Sequence, residues 1–199
     1  NMDDEALSQY GERIISVFEL PYTEAGQQVN VTCSAGIASF PDDAPDMDAL
    51  VSNADTAMYQ AKESGRRTYA FYTPTVARRV DLRLRLEQRL RKAVESRDFR
   101  LFYQPLVSLA DGKMVGAEAL IRWRDPELGE VSPGQFIPVA EDTGFIIAIG
   151  DWVLEQAVRQ AARWRDDGFA VPVSVNVSAL QFQQADFIDR VASVLREHQ

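Results

Sequence analysis

Cysteine and histidine are almost missing from this sequence: Cys33 and His198 are the sole members of their types among 199 residues. A lone thiol forms no disulfide within the chain, which matches a reducing compartment such as the cytoplasm. One His and one Cys so far apart also leave no zinc site of Cys/His spacing and no Ser/His or Cys/His nucleophilic triad. No apolar run approaches the about 20 residues that a membrane span needs. A positive net charge is lacking too, since 21 Lys and Arg face 30 Asp and Glu for a formal −9. Nucleic-acid binders usually carry a basic field, so no nucleic-acid partner is expected. Walker loops, low-complexity tracts and internal repeats are absent as well.

What remains, 46% hydrophobic and 26% charged residues, is the composition of a globular protein, long enough for one or two small domains. The opening Asn-Met-Asp-Asp-Glu is neither a signal peptide nor an initiator sequence, so a piece of a longer protein is expected. Charge divides the chain in three: net −8 over residues 1–72, +5 over 73–97 and −6 over 98–199. A basic connector joins two acidic lobes.

In the first lobe, Leu7, Tyr10, Ile14 and Phe18 recur at helical spacing behind a cap at Asp3 or Asp4. Val29 to Ile37 alternates apolar and polar residues, as a half-buried strand does. A second helix is predicted from Asp46 or Met47 to Ser64, burying Leu50, Ala54, Ala57, Met58 and Ala61, with Gly65 at a left-handed cap. Thr68 to Tyr72 reads as a short strand. The connector, Thr75 to Ser96, places Leu82, Leu86, Leu90 and Val94 four residues apart on one amphipathic helix, with arginines that face water. In the second lobe, strands are predicted at Phe99–Leu106, Met114–Trp123 and Pro172–Ser178, and helices at Pro133–Thr143, Asp151–Arg165 and Asp186–Glu197. Two strands followed by helix, strand and helix describe an α/β sheet. His198, one residue from the end, is expected in solvent.

Strand periodicity puts Glu118, Leu120 and Arg122 on one face and Ala119 and Ile121 on the other. It likewise sets Gln104 beside Phe102 and Leu106, and Asn176 beside Ser174 and Ser178. A buried polar group without a partner costs on the order of 1–3 kcal/mol, and a charge costs more. Glu118 and Arg122 cannot satisfy each other, because four residues along a strand span about 13 Å. A divalent cation at Glu118 and Asn176 with an anionic phosphate at Arg122 would meet both needs; an interior ion-pair network would meet them equally. Lys62 and Arg66, four apart at a helix end, have a sufficient structural reading as cations that complement the helix dipole.

Two sets of residues nevertheless match known families. Cys33-Ser34-Ala35-Gly36-Ile37-Ala38 and the run Ala54 to Arg66 resemble the C-terminal part of a GGDEF (diguanylate cyclase) domain. Gln104-Pro105, Glu118-Ala119-Leu120-Ile121-Arg122-Trp123, Phe136 to Glu141 and Ser174-Val175-Asn176-Val177-Ser178 resemble, in the same order, the N-terminal part of an EAL (cyclic di-GMP phosphodiesterase) domain. The resemblance implies the C-terminal portion of a nucleotidyl-cyclase-like α/β sandwich (1–74), a helical linker (75–96) and the first part of an EAL-type (β/α)8 TIM-like barrel (97–199), whose first strand runs against the others. It implies hydrolysis of cyclic di-GMP to pGpG with two Mg2+ or Mn2+ ions. Glu118 and Asn176 would be metal ligands, Arg122 would hold a phosphate, and Gln104, Leu120 and Pro138 would line the groove. Lys62 and Arg66 match positions that contact GTP phosphates in the GGDEF family. The EAL family's further ligands, a Glu, an Asp-Asp pair and another Glu, and its Lys belong to later strands, and the GGDEF signature belongs upstream. The expectation is therefore a phosphodiesterase in a longer cytoplasmic protein; the alternatives are an inactive EAL receptor or a protein acting mainly as a diguanylate cyclase. Whether it forms a homodimer is left open.

Overall fold

The computed structural model describes residues 4–24 and 27–198. Asp3, proposed as a helix cap, lies outside them. The chain separates into two units, residues 1–84 and 85–199, and each is described by itself.

The first unit holds α1 (Asp4–Val17), β1 (Tyr22–Glu24), β2 (Gln27–Val29), β3 (Ala35–Ile37), α2 (Met47–Glu63) and β4 (Tyr69–Phe71). The predicted strand from Val29 to Ile37 is two elements: β2 closes an antiparallel hairpin with β1, whereas β3 pairs in parallel with β4. Alternation alone cannot show that interruption, because the pattern runs through it. α2 is the crossover between β3 and β4, and it opens at Asp46, whose carboxylate accepts the Ala49 N–H at 2.8 Å. Its buried side is made of Ala57 and Ala61. These small residues let β3 approach so closely that a Cβ on Gly36 would overlap the Ala54 carbonyl oxygen and the Met58 amide. At the other end Gly65 takes φ 109°, the left-handed conformation that glycine adopts without cost.

Helix α3 (Pro74–Ser96) begins in the first unit and enters the second. Its buried stripe in the second unit is Leu86, Leu90 and Ala93. Leu82 is 43% exposed, because each step of four residues turns about 40° past a full circle. The arginines of α3 do more than face water. Arg83 pairs with Glu63, and Arg91 lies over the Phe145 ring at 5.4 Å. Arg89 donates Nε to Asp125 Oδ2 at 2.7 Å and Nη1 to Glu127 Oε1 at 2.6 Å.

The second unit continues with β5 (Phe99–Val107), β6 (Met114–Asp125), β7 (Gly129–Val131), α4 (Pro133–Thr143), α5 (Phe145–Asp166), β8 (Val173–Val175), α6 (Ala179–Phe182) and α7 (Phe187–Glu197). Met114 to Trp123 is a strand despite its helix-forming residues. β6 pairs with β5 along one edge, and its other edge is shared by β8 near the start and β7 near the end. β5 is antiparallel to β6 and β8 is parallel to it, so the first strand runs against β6 and β8 as expected, while the short β7 is itself antiparallel to β6. One face of the sheet packs on α3, α4 and α5 through a core of Phe99, Trp123, Phe136, Val139, Ile146 and Ile149. Trp123 and Phe136 meet edge to face at 5.6 Å, an arrangement aromatic pairs favour. α5 starts six residues before the predicted Asp151. Gly144, at φ 77°, ends α4 and begins α5, and the apolar Phe145–Gly150 stretch offers no sequence cap to mark the start. His198 is half-buried at the C-cap of α7, donating its N–H to Leu195 O.

Candidate functional site

The register of the central hairpin builds the site. Gln104 stands opposite Glu118, Phe102 opposite Leu120, and Arg100 opposite Arg122; on the other edge of β6, Ser174 stands opposite Glu118. Residues directly across a ladder share a face, so Gln104, Glu118, Leu120 and Arg122 project together. Asn176, two residues beyond Ser174, joins them: its Nδ2 donates to Glu118 Oε1 at 2.8 Å. The structure thus brings five of the predicted EAL residues onto one sheet face. Pro138 lies apart and exposed on α4. Its neighbours Ile137 and Glu141 line a cavity of about 270 Å3 with Arg122, Asn176, Ser178 and Gln181.

Neither Glu118 nor Arg122 forms an ion pair among the described residues, so the interior ion network is not how the fold treats them. Glu118 is half-buried and meets a neutral amide. Arg122 Nη1 donates to the Ile121 carbonyl at 2.8 Å, and its guanidinium lies 5.9 Å from the centre of the Phe102 ring. Both contacts hold the head group in place without neutralising it.

Glu118 and Asn176 are hard-oxygen residues in contact, the chemistry a hard divalent cation selects. A half-turn of the Asn176 amide exchanges Nδ2 for Oδ1 and makes both side chains acceptors. The pair fits two positions of such a shell. Among the described residues no three His, Cys, Asp or Glu side chains gather into a metal site.

Two features escaped sequence reasoning. Gln181, on α6, is almost fully buried: its Oε1 accepts the Ser178 N–H and its own N–H donates to Ser178 Oγ, each at 3.3 Å. That reciprocal cap shapes the turn just after Asn176, and the Ser-x-x-Gln spacing signals it. The other is Asp125, 4% exposed at the end of β6, whose Oδ1 accepts the N–H groups of Glu127 and Leu128 at 2.8 and 2.9 Å. Burial works to raise its pKa, but the Leu128 N–H, Arg89 and the Glu127 N–H together hold it below the ordinary value. On α2, Lys62 is exposed in the last turn. Arg66 sits past the helix at φ 61° and is also exposed, so the two do not share a helical face.

The EAL domain family matches residues 87–199. The chain belongs to the EAL domain family. Residues 1–68 match the family described as diguanylate cyclase, GGDEF domain, so a GGDEF part precedes the EAL part. One relative is the "Bifunctional diguanylate cyclase/cyclic di-GMP phosphodiesterase MucR" of Pseudomonas aeruginosa, 42% identical over 188 residues, covering 94% of this chain and 27% of MucR. Another is the "Cyclic di-GMP phosphodiesterase PdeR" of Escherichia coli, 39% identical over 197 residues, covering 99% of this chain and 30% of PdeR. The EAL part is similar in structure to the "PaMucR Phosphodiesterase, c-di-GMP complex", with a TM-score of 0.55, 48% identity, and coverage of 57% of this chain and 47% of that one. The chain therefore spans less than a third of the length of these curated relatives. No helix among the described residues is long and apolar enough to cross a membrane.

Proposed function

We propose that the protein containing this chain hydrolyses one phosphodiester of cyclic di-GMP to give pGpG, with the EAL part supplying the first half of the site. The contact between Glu118 and Asn176, on the same face as Arg122, carries this reading. Glu118 and Asn176 hold Mg2+ or Mn2+, one of two ions in the complete site. When bound, the metal supplies Lewis-acid stabilisation of charge on the phosphoryl oxygens and lowers the pKa of water. Arg122 keeps donors free after its bond to Ile121, and a guanidinium matches phosphate geometry. Gln104 and Leu120 line the same face, and Pro138 borders the groove from α4. Lys62 and Arg66 contact GTP phosphates in the GGDEF part, and the protein works in the cytoplasm. The names of MucR and PdeR support the substrate class.

The test is chromatographic detection of pGpG from cyclic di-GMP and Mn2+, using the full-length protein. Glu118→Ala is expected to reduce release to background, and the 199-residue chain alone is expected to give none. Failure of the full-length protein to release pGpG, or an unchanged rate in Glu118→Ala, refutes hydrolysis at this site. Binding without turnover would place the protein among receptors, and conversion of GTP to cyclic di-GMP would make the GGDEF part the working one.

A further inference from the structure

The face that carries Glu118 and Arg122 holds a second guanidinium. Arg100 on β5 stands directly opposite Arg122 on β6. Directly opposed side chains start about 5 Å apart at Cβ, and like charges in that position repel. The fold handles a neighbouring arginine differently. Arg124, two residues further along β6, has Glu130 opposite it on β7 and pairs with it at 3.6 Å. At the Arg100/Arg122 position no carboxylate is supplied. Arg100 is exposed and makes no hydrogen bond or ion pair among the described residues. Asp98, just before the strand, pairs with neither arginine, and Glu118 is about 13 Å away along β6 and bonded to Asn176. Phe102 lies between, with its ring under Arg122 and 57% of its surface exposed.

We infer that Arg100 and Arg122 form a two-guanidinium clamp for an anionic phosphodiester. Their mutual repulsion in the free protein is relieved when one ligand oxygen group accepts from both. Arg100 is thereby a ligand-binding residue, and the exposed Phe102 ring beside it offers a stacking surface for a base. This rests on the reading of the face as a cyclic di-GMP site and adds a residue to it.

Titration of full-length protein with cyclic di-GMP in EDTA, where hydrolysis does not consume the ligand, tests the clamp by calorimetry. Arg100→Ala is expected to weaken binding about tenfold or more, the effect of losing a charge-assisted bond. It should also flatten the dependence of affinity on salt. Arg100→Lys keeps the charge and should fall between the two. Arg165→Ala, which removes the same charge from the end of α5, should bind like wild type. If Arg122→Ala is weakened while Arg100→Ala matches wild type, the clamp is overturned and the substrate reading stands. Equal losses in Arg100→Ala and Arg165→Ala also overturn it, since a general field then accounts for both. If wild-type protein binds no cyclic di-GMP, the clamp and the substrate reading fall together.

Discussion

Replacing Gly150 with alanine sets a local rule against a packing constraint. Gly150 lies inside α5, where Ala is favoured over Gly by about 1 kcal/mol, so the substitution should stabilise the chain if helix propensity decides. The structure says otherwise, because a Cβ at Gly150 would overlap the side-chain amide of Gln181. That amide is the end of a flexible side chain, and the cavity beside Arg122 borders both residues, so it has somewhere to go. Moving it costs the half of the cap in which its Oε1 accepts the Ser178 N–H, about 1 kcal/mol, and leaves a buried amide short of partners, about 1–3 kcal/mol. After the propensity gain, Gly150→Ala should destabilise the second unit by about 1–3 kcal/mol. Urea unfolding followed by circular dichroism reads this directly. A double-mutant cycle with Gln181→Ala isolates the cause: with the amide gone, Gly150→Ala should become neutral or stabilising, giving strong coupling. Stabilisation in the single variant, or additivity in the cycle, would refute the reasoning.

Gly36→Ala meets backbone instead of a side-chain tip, with no rotamer to absorb the overlap. It should cost more than Gly150→Ala, about 3 kcal/mol, and a Tm shift confined to Gly150→Ala would sink that ranking. Asp125 is held below its ordinary pKa, so its stabilising effect is present above the unfolded value of about 3.9 and is lost as pH falls through the folded value. Burial raises Asp151, with the opposite sign, so the comparison must be with Asp125→Asn. Wild type should exceed that variant in stability at neutral pH by a margin that shrinks in acid, and a margin independent of pH counts against the Asp125 clasp. Asn176→Asp puts a second carboxylate against Glu118, so in EDTA its Tm should fall below wild type, and Mn2+ should close the gap. If Mn2+ leaves the gap unchanged, the pair is not a metal site.

Much of the fold was legible in the residues because local signals agreed. The Asp46 cap, the Gly65 terminus and the alanines Ala57 and Ala61 set α2, and shortness with flanking turns gave β6 despite its helix formers. Where local pattern and topology part, the residues fell short. The alternation from Val29 to Ile37 hides two strands with different partners, and the apolar start of α5 carries no cap. The Arg89–Asp125 clasp joins residues 36 apart, and no periodicity links an arginine on a helix to a buried aspartate at a strand end.

The sequence by itself determined which residue types could do the chemistry, namely Glu118, Arg122, Gln104 and Asn176, and the face each would take within its own strand. It could not say which faces coincide. That is decided by the β5/β6 register, which shifts at an irregularity between Leu106 and Val107. Pairing counted from the turn would set Arg100 against Ile121, whereas the shift sets it against Arg122. A slip of one residue moves a whole strand to the other side of a sheet. The single extra residue, Val115, therefore places Arg100, Gln104, Glu118 and Arg122 on one surface, and only the folded ladder reveals it.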